Sequence, residues 1–306
     1  MTPVEWATLL AEEARCAALP DRALELYEQA LSELDGDDPV PLAADILRRM
    51  GTIRRELGES VEAELLYTRS LRIAELVESP GGQAHALNCL ALMAQRKAQN
   101  AVASEYYRQA VLLARAVQDH RLIGMIEQNL GVMASIRGDL PAALNSYRAS
   151  SLAFDRAGDD EGRMWVLNNI GMAYMNLGEH VASKEALEHG LDIARRVADT
   201  HMESIFLVNK AALAIQVGCL DVAAGMLDDA LVLADARHDS IRRCEALKLK
   251  AILLRKSGSE RRVIEILESA HDLAIEAGDT LLTAEVTREL GDAWEAVGDL
   301  PRAIGL

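Results

Sequence analysis

"VLNNIGMAYMNLGEH" spans residues 166–180, and its reading decides the fold. The stretch is mostly apolar, ends near Gly178, and carries two adjacent asparagines, Asn168 and Asn169. Its pattern returns along the chain. Just beyond it, Ser183 continues a column of small residues 40 apart: Ala23, Ala63, Ala103 and Ala143 before it, Ala223, Val263 and Ala303 after it. Four residues further on stand Tyr27, Tyr67, Tyr107 and Tyr147, then Leu187, Leu227 and Leu267. Glycine recurs at 58, 138, 178, 218, 258 and 298, with Ala98 as the interruption. Seven residues before it comes a small residue: Gly51, Ala91, Gly131, Gly171, Ala211, Ala251 and Gly291. Aspartate marks 119, 159, 199, 239 and 279.

Each column has a physical task. The recurrent glycine lets the chain leave one helix through a left-handed conformation. The aspartate caps the helix that follows. The small residues let two helices approach closely, and the Tyr or Leu fills the space beside them. Each unit therefore reads as two antiparallel helices, predicted over 161–177 and 180–197 in the best-formed copy. One such pair cannot bury its apolar face alone, whereas stacked pairs can.

This spacing resembles the tetratricopeptide repeat. Leu167, Ile170, Gly171, Tyr174, Gly178, Ser183, Leu187 and Gly190 reproduce the family signature, and Leu47, Met50, Gly51, Gly58, Ala63, Tyr67 and Ser70 reproduce it again. The usual unit has roughly 34 residues; the longer unit here resembles the long-helix subtype of bacterial peptide-sensing regulators and kinesin light chains. The resemblance implies an all-α fold, an α-solenoid in which stacked antiparallel helix pairs wind into a right-handed superhelix. The expected organisation is one array over 1–306, with repeats at about 1–38, 39–79, 80–119, 120–159, 160–199, 200–239 and 240–279 and an incomplete one at 280–306. Repeat 1 matches only in its second helix. Lys210 and Lys250 stand where a large apolar residue is usual. The sequence ends where a second helix has barely begun, so a truncated fragment is expected.

Composition narrows the function. Half of the 306 residues are hydrophobic, aromatics are only 4%, and the formal net charge is −16. That charge opposes nucleic acid, whose binding requires clustered Lys and Arg, and anionic membranes. No apolar run reaches the length of a membrane span. The start reads as a helix, with Thr2 as cap, Pro3 in the first turn and Glu5 closing a capping box. Cys16, Cys89, Cys219 and Cys244 form no C-x-x-C pair and read as reduced thiols of a cytoplasmic protein.

Catalysis is not expected. The sequence has no H-E-x-x-H, no phosphate-cradling G-x-x-x-x-G-K, no G-x-G-x-x-G and no G-x-S-x-G. The histidines lack metal-like spacing, and "GDDEG" at 158–162 reads as a turn and helix cap. No cofactor is called for.

Recognition is expected instead. Family resemblance places the first helices on the concave surface and gives Asn169, which shares its column with Asn129 and Asn209, a structural bond. Residues three and four apart share a helical face. On that face Trp165, Asn168, Met172 and Met175 line up, with Asn176 beside them. Repeat 4 offers Met125, Gln128 and Val132, and repeat 3 offers His85, Asn88 and Gln95. Amides carry donors and acceptors for a peptide main chain, Met adapts to varied apolar side chains, and Trp165 is a large anchor. Arg48, Lys248 and Arg255 are expected to steer acidic ends. Lys248 and Arg255 belong to a stretch, 242–262, with eight Lys or Arg against two Glu. The expected ligand is thus a protein or peptide segment with acidic character, held without cofactor, nucleic acid or membrane. The clamp that family members use for a terminal carboxylate is not matched, because Cys89 and Leu249 occupy its columns. A second expectation is a sensory module of a bacterial regulator with an output domain beyond residue 306. A third is self-association through the exposed C-terminal helix.

Overall fold

The helix of the opening stretch ends at Asn176, and the chain turns through Gly178 at φ +77° before the next helix starts at His180. This turn recurs along the chain. The computed structural model describes residues 2–34, 40–255, 258 and 260–304. Among these there are sixteen helices and no strand. None of the helices is long and apolar enough to cross a membrane.

The chain forms two compact units, Met1–Gly162 and Arg163–Leu306. The first holds α1 (Pro3–Cys16), α2 (Pro20–Glu33), α3 (Pro41–Glu56), α4 (Ser60–Leu76), α5 (Pro80–Arg96), α6 (Asn100–Ala116), α7 (His120–Ile136) and α8 (Leu140–Ala157). Each helix packs on the next, and α3, α5 and α7 also touch in succession. The second unit takes most of α9 (Asp160–Asn176). It continues through α10 (His180–Arg196), α11 (Thr200–Gln216), α12 (Leu220–Arg237), α13 (Ser240–Arg255), α14 (Glu260–Glu276), α15 (Thr280–Ala296) and the short α16 (Leu300–Ile304). There α11, α13 and α15 touch in succession. Each unit is thus a stack of antiparallel helix pairs, as an α-solenoid requires. Observed bounds of α9 and α10 differ from the predicted ones by a residue at each end, except at the start of α10, where they agree.

The columns do what their chemistry dictates. The Tyr67 ring covers Gly51, where a Cβ would meet it at 2.7 Å, and Leu187 covers Gly171 at 2.5 Å. Tyr147 lies over Gly131 in the same way. The tyrosine hydroxyls reach polar partners at the rim: Tyr67 donates to Thr52 Oγ1 at 3.3 Å and Tyr107 to Gln95 Oε1 at 3.2 Å. Burial pushes the pKa of all three phenols upward. Close approach is also seen in hydroxyls that cross each pair to a helix carbonyl. Ser70 donates to Ala44 O at 2.7 Å, Ser150 to Gly124 O at 2.7 Å, and Ser183 to Gly171 O at 2.8 Å.

Both phenylalanines sit against glycine. Phe154 fills the space left by Gly124 and Gly162, and Phe206 the space left by Gly190. One repeat later the sequence has Ala230 for Gly190 and Ala246 for Phe206, an exchange of volume across the two positions.

Aspartates cap as expected. Asp119 accepts from Leu122 N at 2.9 Å, Asp239 from Arg242 N at 3.0 Å and Asp279 from Leu282 N at 2.9 Å. Asp159 does the same for Gly162 N, so "GDDEG" is a turn and cap. Thr2 and Glu5 form the capping box. The residue before each of these caps was not singled out from sequence, yet it too is left-handed: Gln118, Ala198 and His238 before aspartates and Glu78 before Ser79 have φ between +51° and +56°, and glycine takes the place at 158 and 278. Lys210 and Lys250 do not disturb packing. Each carries its ammonium to an acid of the preceding helix, Glu188 at 3.4 Å and Asp228 at 2.6 Å.

Two substitutions test these contacts. Ala98 holds φ +58°, which costs a non-glycine residue about 1–2 kcal/mol; Ala98→Gly should raise the urea midpoint by an amount equivalent to about 0.5–1 kcal/mol. Gly190→Ala should lower stability by about 1–3 kcal/mol through overpacking, and adding Phe206→Leu should restore part of that loss in the same measurement.

Candidate functional site

The first helix of each repeat presents its own face, and most of the residues singled out from sequence lie there. In the second unit Trp165 is 38% exposed and its ring tilts against His201 of α11 with centroids 6.4 Å apart. One turn on, Asn168 is half-buried, followed by half-buried Met172 and Met175 and exposed Asn176. Met175 packs on the core built around Leu187, Phe206 and Leu213, so its side chain serves the interior as well as the face. The corresponding positions of α11, Ile205, Val208 and Ile215, are buried.

The paired asparagines find an explanation here. Asn209 Nδ2 donates to Asn168 Oδ1 at 2.6 Å. In the first unit Asn129 Nδ2 donates to Asn88 Oδ1 at 3.4 Å. The offset is 41 residues in both cases, one repeat plus one position. At the same offset the Arg48 charge acts on the Cys89 thiol, whose pKa burial nonetheless raises. Two adjacent polar positions per repeat are thus two halves of one inter-repeat ladder. The column of Asn169 supplies the donors, Asn129 and Asn209, and Asn88, only 8% exposed, and Asn168 each spend their amide oxygen on that neighbouring first helix. The amide nitrogen of Asn168 takes no part in that bond. The signal was legible in principle, since both columns carry amides in repeats 4 and 5, at Gln128 and Asn129 and at Asn168 and Asn169.

In the first unit Gln95 accepts from Tyr107, while Gln128 and Val132 are half-buried on α7 beside exposed Met125. Arg48 bonds Asp45 and lines two cavities. One, of about 540 Å³, is shared with Tyr27, Arg49 and Thr52. The other, of about 180 Å³, is shared with His85, Ser70 and Ser79. Arg49 donates to Asp45 Oδ2 at 2.6 Å. Burial opposes ionisation of Asp45, but the two arginines outweigh it and its pKa is lowered. Burial and the Arg48 charge push the His85 pKa down against the pull of Asp119, 3.3 Å away. Arg49 and Thr52 were not among the residues singled out: Arg49 departs from the asparagine that its column carries at 129, 169 and 209, and the Thr52 column shares no residue type.

Lys248 and Arg255 are not free cations. Lys248 pairs with Glu285, and Arg255 bonds both Glu289 Oε2 at 3.0 Å and the Glu289 carbonyl at 2.9 Å. These bonds join α13 to α15. Lys256, from the same basic stretch, lies outside the described residues. Among the described residues no group of three or more His, Cys, Asp or Glu is placed to hold a metal ion.

Residues 163–201 match the sequence model of the tetratricopeptide repeat. No curated protein matches the sequence. Solved structures show the same fold at low identity. A signal transduction ATPase with numerous domains and a tetratricopeptide repeat sensor, from Pyrococcus horikoshii, is 15% identical with a TM-score of 0.72, over 96% of this chain and 44% of that one. A Rap protein complexed with competence and sporulation factor is 14% identical with a TM-score of 0.62, over 98% and 78%. A putative kinesin light chain with nearly identical TPR-like repeats, from Podospora anserina, is 16% identical with a TM-score of 0.53, over 64% and 98%.

The ladder makes a measurable claim. Asn168→Ala and Asn209→Ala should each lower stability by about 1 kcal/mol, and the double variant should lose less than the sum. A double-mutant cycle in urea should give a coupling of about 0.5–1.5 kcal/mol.

Proposed function

We propose that the chain, whose residues 163–201 match the tetratricopeptide repeat, is a non-catalytic recognition array that holds an extended or helical segment of a partner protein on its first-helix face. The observation that carries this reading is the α9 face. There an exposed Trp165, an asparagine whose amide nitrogen is outside the ladder, and two half-buried methionines lie in helical register. Solvent-exposed indole beside adaptable thioethers is apolar surface that a ligand covers with gain, and the remaining amide donors suit a main-chain carbonyl. Trp165, Met172 and Met175 take apolar side chains; Asn168 and Asn176, with Asn88, Gln95, Gln128 and Val132 in the first unit, supply polar and apolar contacts. Arg48, Lys248 and Arg255 enter as cations whose own acids an acidic segment must displace. The Rap protein complexed with competence and sporulation factor supplies a precedent for this fold. Action in the cytoplasm belongs to the same reading.

A second reading is favoured by the likeness to the repeat sensor of the Pyrococcus ATPase, where the match covers less than half of that chain. In it, this array is the sensory half of a bacterial regulator. The gene beyond codon 306 decides between them: an output domain there supports the second reading, and a stop codon removes it.

Affinity capture from the native lysate, read by mass spectrometry, tests the groove. Wild type should retain a partner that Trp165→Ala/Met172→Glu loses, with equal helicity by circular dichroism. Retention of the same partner by both proteins refutes the α9 face as the binding surface.

A further inference from the structure

A deep groove lies on the other side of α3 from Arg48, and it belongs to the first unit alone. Its volume is about 950 Å³. Ala43, Leu47, Met50 and Arg54 of α3 form its floor. Their spacing of four, three and four residues makes one straight helical stripe about 16 Å long. At 100° per residue that stripe lies about 150° around α3 from Asp45, Arg48, Thr52 and Arg55. Leu31 of α2 stands on one wall; Leu65, Leu66, Ile73 and Leu76 of α4 stand on the other. Leu65 is 61% exposed and Leu76 is 65% exposed. Two large leucines kept in water on the rim of an aliphatic trough are a cost that a bound apolar face removes.

The trough is not electrically neutral. At its α3–α4 end Arg54 donates to Glu59 at 2.7 Å, and Glu28 and Glu62 line the same groove. The hydrogen bond to Glu59 raises the Arg54 pKa, burial opposes it, and the charges of Glu59, Glu28 and Glu62 add to the rise. Glu59 is bonded to Arg54 while Glu28 and Glu62 act on it through space, and with Arg69 the other cation of the lining, the three carboxylates outnumber the two guanidiniums and leave the lining net negative.

We propose that this groove is a second docking surface, one that receives an amphipathic partner helix with an aliphatic face about three turns long and Lys or Arg at the end that meets Glu28, Glu59 and Glu62. A helix fits because floor and walls are themselves helical stripes of matching length, the arrangement in which apolar anchors at i, i+3, i+4 and i+7 are taken up. A second copy of this chain is a poor occupant, since its net charge of −16 would meet an acidic rim. The surface is independent of the first-helix face and does not rest on the reading of that face.

The test uses the full chain and two acetylated, amidated 14-residue helical peptides. Both carry leucine at i, i+3, i+4 and i+7; one has three lysines at one end, the other three glutamates. Fluorescence anisotropy should show the lysine-ended peptide binding at least about tenfold tighter than the glutamate-ended one, a difference of about 1.4 kcal/mol. Leu65→Glu/Leu76→Glu, at positions exposed enough to leave folding intact, should abolish binding. Glu28→Lys/Glu62→Lys should reverse the preference between the peptides, a gain that a misfolded variant cannot give. Trp165→Ala should bind like wild type. The proposal is overturned if neither peptide binds, if Trp165→Ala loses binding as Leu65→Glu/Leu76→Glu does, or if charge reversal leaves the preference unchanged. It is equally overturned if wild-type mass rises with concentration in light scattering and Leu65→Glu/Leu76→Glu stops that rise, which would assign the groove to a second copy.

Discussion

The structure depends on one close contact: a bulky side chain of the second helix seated where the first helix has none. Tyr67 on Gly51, Tyr147 on Gly131 and Leu187 on Gly171 are three instances. Without that fit the paired helices stand too far apart for Ser70, Ser150 and Ser183 to reach carbonyls across the pair. A chain with only 4% aromatic residues can use this device because a few rings, each placed over a small residue, close many interfaces. Where a larger ring is used, the opposing position shrinks, as Gly190 does for Phe206. Volume is conserved across an interface and not at a position.

Stacking the pairs brings a second constraint, because buried polar groups must find partners. The asparagine ladder meets it on the first-helix faces, and Lys248 with Glu285 and Arg255 with Glu289 meet it at α13 and α15. Asparagines and basic residues that look like ligand-binding groups in the linear chain are thus engaged by their neighbours first. Any ligand on this face works with what the ladder leaves: one end of an amide, an exposed indole, the outer side of a methionine. Such a surface favours recognition of main chain and apolar side chains over capture of a single charge.

The two sides of α3 show how one helix serves two surfaces. Arg48, Arg49 and Thr52 face one side, and Leu47, Met50 and Arg54 floor the aliphatic trough. The charge of the chain is not spread evenly either. Acids collect around Arg54 at the trough, while much of the basic stretch at 242–262 is tied up in ion pairs.

The sequence by itself determined the helix pairs, their turns and caps, and which positions are small or large, because these follow from local rules: backbone conformation at Gly178, side-chain capping at Asp119, and a fixed repeat that returns the same residue type to the same environment. It also placed the face on which Trp165, Asn168, Met172 and Met175 align, since helical periodicity alone sets that register. The tertiary structure decided everything that joins one repeat to another. That Asn168 bonds Asn209, that Arg255 is held by Glu289, that Lys210 and Lys250 reach acids of a neighbouring helix, and that Leu47 and Leu65 share a trough all depend on how far apart two helices sit and how they are rotated. A single chain of letters does not carry those distances, because many rotations satisfy the same pattern of small and large residues until the pairs are packed.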